Sequence, residues 1–154
     1  MKKVKITFKL NNKMESFEVE PNKRLLDMLR EDCGCTSVKE GCSEGECGAC
    51  TVLINGEAVT SCTVLAPQVE GAEVLTVEGL GTEGEMDRLQ ETFIEAGAVQ
   101  CGFCTPGMVL SAKALLMKNP NPNREQMKTA IEGNLCRCTG YTKILDAIEK
   151  AVEK

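Results

Sequence analysis

The chain has 154 residues, 42% of them hydrophobic and 27% charged, with a net charge of −5. This balance belongs to a folded protein of one domain or two small ones, and no apolar run approaches the roughly 18 residues of a membrane span. Histidine is absent and cysteine occurs 10 times, which removes Ser-His-Asp triads, Cys-His pairs, His-ligated zinc sites and Rieske centres. With no Trp, 1 Tyr and 4 Phe, the core must come mainly from Val, Ile, Leu, Met and Ala.

Val4, Ile6, Phe8 and Leu10 alternate with Lys5, Thr7 and Lys9, the pattern of a half-buried strand. Lys2, Lys3, Lys5, Lys9 and Lys13 read as its solvated face, and the acidic net charge argues against a nucleic-acid partner. The Lys-rich opening lacks the continuous apolar stretch of an export signal. A cytoplasmic, reducing location is therefore expected, where many cysteines mean metal or catalysis and not a disulfide framework. Asn11-Asn12 offers a tight turn, and Phe17 and Val19 alternate with glutamates in a second strand. Pro21-Asn22 opens a short helix carrying Leu25, Leu26 and Leu29.

Residues 33–50 form a loop rich in Cys, Gly and Glu. The segments Thr51 to Ile54 and Glu57 to Thr60 flank Asn55-Gly56 as a hairpin, and Glu73 to Val77 is a last short strand. Residues 1–78 thus make a compact α+β unit, and the glycines of residues 79–84 mark a linker. Residues 85–154 read as helical. Met86, Leu89 and Phe93 share one face, and Thr105-Pro106 starts a second helix with Thr105 at its N-cap. Asn123 and Gln126 make a capping box for a third. Tyr141, Ile144, Leu145, Ile148 and Val152 give an amphipathic fourth. Four helices with short connections suggest a bundle.

Two cysteine sets stand out. Cys42, Cys47 and Cys50 follow the C-x4-C-x2-C spacing of plant-type [2Fe–2S] ferredoxins, with Cys62 beyond the hairpin. Gly41, Gly45 and Gly48 let the backbone wrap a cluster closely and point N–H groups at its sulfurs. Cys101 and Cys104 precede the Thr105 helix, and Cys136 and Cys138 follow Gly133-Asn134. Spacing alone leaves this second set open between another [2Fe–2S] cluster and a four-cysteine zinc site. Gln100 alone reads as a surface or capping amide. Cys33 and Cys35 fall outside both sets and read as free, partly buried thiols; a redox-sensitive pair is the sharper alternative.

Three stretches carry a resemblance: TSVKEGCSEGECGACTVLINGEAVTSC (Thr36 to Cys62), VQCGFCTPGM (Val99 to Met108) and GNLCRCTGY (Gly133 to Tyr141). Together and in this order they resemble the iron–sulfur subunit of molybdenum hydroxylases, a family that includes xanthine, nicotinate and carbon monoxide dehydrogenases and aldehyde oxidoreductase. The resemblance implies a β-grasp ferredoxin-like domain followed by an all-α four-helix domain. It implies one [2Fe–2S] cluster on Cys42, Cys47, Cys50 and Cys62 and another on Cys101, Cys104, Cys136 and Cys138. It also implies a large molybdopterin-binding subunit and a FAD-binding subunit as partners in a higher heteromer. By motif position, Gln100 and Cys138 match the residues nearest the pterin.

The resulting expectation is an electron-transfer subunit without a catalytic residue of its own. Electrons would pass from a molybdopterin centre on a partner chain through both clusters to FAD or an external acceptor. An N-heterocycle, purine or nicotinate, is the expected substrate of the complex. The rivals are a free two-cluster ferredoxin and a zinc-stabilised interaction module.

Overall fold

The computed structural model describes residues 1–153. Strands β1 (Val4–Leu10) and β2 (Lys13–Val19) form an antiparallel hairpin in register from Val4↔Val19 to Leu10↔Lys13. Its turn residues Asn11 and Asn12 both take positive φ, 48° and 67°, the handedness that matches strand twist in a two-residue turn. Ile6, Phe8 and Leu10 are buried, whereas Val4 lies at the open end and is exposed. Helix α1 (Leu25–Glu31) begins four residues after Pro21, later than the proline suggests. It lays Leu25, Leu26, Met28 and Leu29 on the sheet, all fully buried.

A second hairpin joins β3 (Thr51–Ile54) and β4 (Glu57–Thr60) through Asn55 and Gly56. Strand β5 (Glu73–Leu75) stops two residues short of the expected Val77, where a 3-10 turn begins. Although last in sequence, it sits in the middle of the sheet, in the order β2-β1-β5-β3-β4. It runs parallel to β1 and antiparallel to β3. Val74 is buried there among Ile6, Phe8 and Val52. This places the β3–β4 hairpin, and the cysteines at its open end, on the far side of the sheet from β2.

The rest is helical: α2 (Arg88–Glu95), α3 (Thr105–Lys118), α4 (Arg124–Ile131) and α5 (Thr142–Val152). Asp87 caps α2 through the Leu89 N–H, and Gln90 returns the bond to the Asp87 N–H. Met86 consequently falls outside the helix and is exposed instead of sharing its buried face. Asn123 and Gln126 form the expected capping box of α4. Thr105 is the first helical residue of α3, and Cys104 takes the N-cap position. Leu89, Phe93, Met108, Met127, Ile144 and Ile148 build this core. A smaller apolar seam of Leu53, Leu110 and Ala114 fastens α3 to β3. Among the described residues, no helix is long and apolar enough to cross a membrane.

Candidate metal centres

The first centre grows from the β3–β4 hairpin. Because Thr51 pairs with Thr60, the residues just outside the pair, Cys50 and the turn Ser61–Thr63, lie side by side. The Cys62 N–H approaches Cys50 Sγ at 3.5 Å. Ser61, fully buried, donates through Oγ to the Cys50 carbonyl at 2.7 Å. The preceding loop folds back over this pair. Ser43, Gly45 and Gly48 all take positive φ, so the chain curls tightly enough to aim N–H groups inward. The N–H groups of Glu44, Glu46 and Cys47 each lie 3.3 Å from Cys42 Sγ, and that of Cys42 lies 3.4 Å from Cys47 Sγ. A methyl group on Gly41 would stand 2.7 Å from Cys47 Sγ, so only glycine leaves that sulfur room.

These donors set the electrostatics. N–H bonds from Glu44, Cys47 and Glu46 bring the Cys42 thiol down to about 7, because they stabilise the thiolate. Burial, with Cys50 beside it, pushes the Cys62 thiol up to about 11. Iron binding would take these protons, since a coordinating thiol is deprotonated outright.

The second centre forms where helix ends meet. Cys101 and Cys104 lie in the turn leading into α3, and Cys136 and Cys138 in the turn between α4 and α5. Cys101 Sγ and Cys138 Sγ are 3.6 Å apart and both residues are exposed. Cys104 and Cys136 are mutual neighbours and half-buried. Burial, with Cys136 beside it, pushes the Cys104 thiol up to about 12. At Cys136 burial works the same way, yet hydrogen bonds from Thr139 and Cys104 hold its thiol below the ordinary value.

Both sets therefore close in pairs: Cys42 with Cys47, Cys50 with Cys62, Cys101 with Cys138, and Cys104 with Cys136. Among the described residues, no three metal-ligating side chains converge on a single-ion site. A [2Fe–2S] cluster asks each iron to take two thiolates, so paired sulfurs with N–H groups aimed at them fit that group better than one zinc ion.

The two centres touch. The Leu135 N–H donates to the Cys47 carbonyl at 2.9 Å, which joins the two cysteine loops by one backbone hydrogen bond. Asn134, only 5% exposed, braces the same contact. Its Nδ2 donates to the Gly48 carbonyl at 3.2 Å, and its Oδ1 accepts from Ser111 Oγ at 2.7 Å. Gly107 of α3 packs so closely that a methyl group there would lie 2.3 Å from the Gly48 carbonyl oxygen. A cavity of about 270 Å³ lies between the loops, lined by Cys47, Cys101, Cys104, Cys136, Cys138 and Phe103 among others.

Gln100 is exposed beside Cys101, on a surface that also exposes Val99, Phe103 and Leu135. Cys33 and Cys35 belong elsewhere. They follow α1 around Gly34, with Cys35 buried in the sheet core. Burial, with Cys35 nearby, pushes the Cys33 thiol up to about 12, the signature of a core thiol, not a reactive one. Asn134, Ser111 and Thr139 were invisible to cysteine spacing. Their only sequence signal is adjacency to the second set.

Comparison with known proteins points to the same class of cofactor. Residues 8–76 match the 2Fe-2S iron-sulfur cluster binding domain family, and residues 76–149 match the [2Fe-2S] binding domain family. The chain is 59% identical to the nicotinate dehydrogenase small FeS subunit of Eubacterium barkeri, over 100% of this chain and 98% of that protein. It is 45% identical to the nicotine 6-hydroxylase small subunit of Paenarthrobacter nicotinovorans, over 95% and 88%. Among solved structures, quinoline 2-oxidoreductase from Pseudomonas putida 86 superposes with a TM-score of 0.95 at 44% identity, covering 99% of this chain and 96% of that one. The chain therefore belongs to the small iron–sulfur subunits of the molybdenum hydroxylases, electron-transfer subunits that carry two [2Fe–2S] clusters and act within a multi-subunit oxidoreductase.

Proposed function

We propose that this chain forms the electron bridge of an N-heterocycle hydroxylase. Cys42, Cys47, Cys50 and Cys62 hold one [2Fe–2S] cluster, and Cys101, Cys104, Cys136 and Cys138 hold the other. When bound, the two clusters each carry one electron, which divides the two-electron yield of molybdenum chemistry into single steps. The observation that carries this reading is the Leu135 N–H to Cys47 carbonyl bond. It links a residue of one set to the neighbour of Cys136 in the other without solvent between them.

The exposed sulfurs of Cys101 and Cys138, with Gln100 beside them, form the face offered to a molybdopterin-binding subunit. Exposed Val99, Phe103 and Leu135 border that face, and apolar side chains around a polar point of contact suit a buried protein interface. The loop around half-buried Cys42, with Ser43, Glu44 and Glu46 exposed, is the side offered to a FAD-binding subunit or external acceptor. We assign residues 1–78 to the ferredoxin-like unit, 79–84 to a linker and 85–154 to the helical unit, residue 154 lying outside the described residues, a division supported by the two separate apolar cores. Nicotinate or a related N-heterocycle is the substrate of the complex, supported by relatives whose names carry nicotinate, nicotine and quinoline.

The test is isolation of the native complex, with metal and flavin analysis and anaerobic bleaching of cluster absorbance by candidate substrates. Co-purification of molybdenum, FAD and about four irons per chain is expected, with bleaching by nicotinate, another N-heterocycle or a purine. Isolation of the chain alone with its irons would make it a free ferredoxin. Zinc without visible absorbance would overturn the assignment of the metal.

A further inference from the structure

The turn that carries Cys136 and Cys138 continues into Thr139, Gly140 and Tyr141 before α5 begins. Thr139 Oγ1 donates to Cys136 Sγ at 3.1 Å. The same oxygen accepts the Tyr141 N–H at 3.3 Å. A hydroxyl has one hydrogen and two acceptor lone pairs. With a lone pair engaged by the Tyr141 N–H, the hydrogen is directed at the sulfur. Tyr141 in turn accepts the Cys136 N–H through its phenolic oxygen at 2.8 Å. It does so from a left-handed backbone conformation, φ 71°, which a bulky residue adopts only when its surroundings impose it. The turn is thus closed on itself by three hydrogen bonds, of which the one from the Tyr141 N–H occupies the Thr139 oxygen and the one to the Tyr141 hydroxyl fixes Tyr141 beside it.

We propose that the Thr139 hydroxyl is a potential-setting group of the second centre, held in place by Tyr141 and acting through Cys136. This rests on the reading of Cys136 as a cluster ligand. Reduction adds one electron to the centre and negative charge to its thiolate sulfurs. A hydrogen bond to a sulfur stabilises that charge more in the reduced state than in the oxidised one. No covalent bond is made or broken, and the hydroxyl proton stays on Thr139. Cys101 and Cys138, at the exposed edge, have no such hydroxyl among the described hydrogen bonds. Cys136, next to Leu135 and the first centre, has it at 3.1 Å, and the other inner sulfur, Cys104, has the Thr105 hydroxyl as its own partner. The effect is to raise the affinity of this centre for an electron arriving from the exposed side.

The test is an EPR-monitored redox titration of the holoprotein in its native complex, with dithionite as reductant. The variants are Thr139→Val, which keeps the shape and removes the hydroxyl, and Thr139→Ser, which keeps the hydroxyl. The expected result for Val is a fall in the reduction equilibrium constant of the second centre on the order of tenfold, which for one electron reads as about 59 mV. Ser restores the wild-type midpoint, and the midpoint of the first centre does not move in either variant. An unchanged midpoint in Val, or an equal shift in Val and Ser, overturns the proposal. Should Val lose the cluster through packing, Thr139→Ala supplies the same titration without the added methyl. Loss of the cluster in both would overturn the proposal in favour of a role in assembly. Failure of the underlying reading shows earlier and differently: Cys136→Ser would then leave both EPR signals of the complex intact.

Discussion

Replacing Asn134 by Ala tests whether one buried amide holds the two metal centres together. The side chain makes its best bond with Ser111 Oγ at 2.7 Å and two longer ones, to the Gly48 carbonyl at 3.2 Å and Thr51 Oγ1 at 3.4 Å. Gly48 loses little, because its carbonyl also accepts from the Thr51 N–H at 3.1 Å and from Thr51 Oγ1 at 2.7 Å. Ser111 is 5% exposed and loses the acceptor of its hydroxyl. An orphaned buried donor costs about 1–3 kcal/mol, and each ordinary bond adds about 0.5–1.5 kcal/mol net. With the weaker Nδ2 bonds counted at the low end, the total is about 2–4 kcal/mol. For a chain of this size that lowers the Tm by roughly 4–16 °C. Thermal unfolding of the holoprotein, followed by loss of cluster absorbance, reads the stability. The magnetic coupling between the two reduced centres reads their separation, because dipolar coupling falls with the cube of distance. Asn134→Ala should lower both, and Ser111→Ala added to it should cost less than the sum of the two single changes. A Tm within about 2 °C of wild type, with unaltered coupling, would refute the idea that this amide braces the contact.

Four further outcomes are expected. Gly107→Ala gains about 1 kcal/mol of helix propensity but drives a methyl group to 2.3 Å from the Gly48 carbonyl oxygen. Overpacking of about 1–3 kcal/mol should therefore make it less stable and reduce the magnetic coupling. Gly133→Ala, whose methyl meets nothing within 4 Å, is the control. Cys47→Ser and Cys104→Ser should each halve the iron, from about four to about two atoms per chain, and each should abolish a different EPR signal. Loss of both signals in either variant would contradict two independent centres. Replacing Cys33 and Cys35 together by Ser should leave iron content and air tolerance unchanged, while burying a hydroxyl at position 35 costs about 1–2 kcal/mol in a urea melt. Finally, burial opposes ionisation of Glu78, but bonds from the Ser37 hydroxyl and N–H hold its carboxyl below the ordinary value. The folded value lies below the unfolded one of about 4.3. The stabilisation is therefore present above that pH and fades as pH falls through the folded value. Glu78→Gln should flatten the acid side of a Tm-against-pH curve, and an unchanged slope would count against the link.

Much of this protein was written in local pattern. Strand alternation at Ile6, Phe8 and Leu10, and the Asn11-Asn12 and Asn55-Gly56 turns, depend on neighbours within a few residues. The spacing of Cys42, Cys47 and Cys50 and the glycines among them are equally local, since one loop wraps those sulfurs, whereas the second set draws on two turns, with Cys101 and Cys138 standing 37 residues apart. Local pattern misjudged residues whose role depends on which neighbour wins a hydrogen bond. Asp87 takes the cap of α2 and puts Met86 in solvent, and Tyr141 stands at the N-cap of α5, still packed on the helical core, with its hydroxyl closing the second cysteine turn.

The sequence by itself determined the two sets of cysteines, the α+β and helical halves, and the class of cofactor. Tertiary structure alone decided how those halves meet. Asn134 and Gly48 are 86 residues apart in the chain, and no period or spacing signals a contact across that distance. It arises where α3 packs on β3 through Leu53, Leu110 and Ala114, and bare Gly48 and Gly107 approach backbone to backbone. The Leu135–Cys47 link follows from that approach, while the pairing of sulfurs and the Thr139 hydroxyl follow from how the cysteine turns fold. They are relations between distant or competing groups, and only the folded chain resolves them.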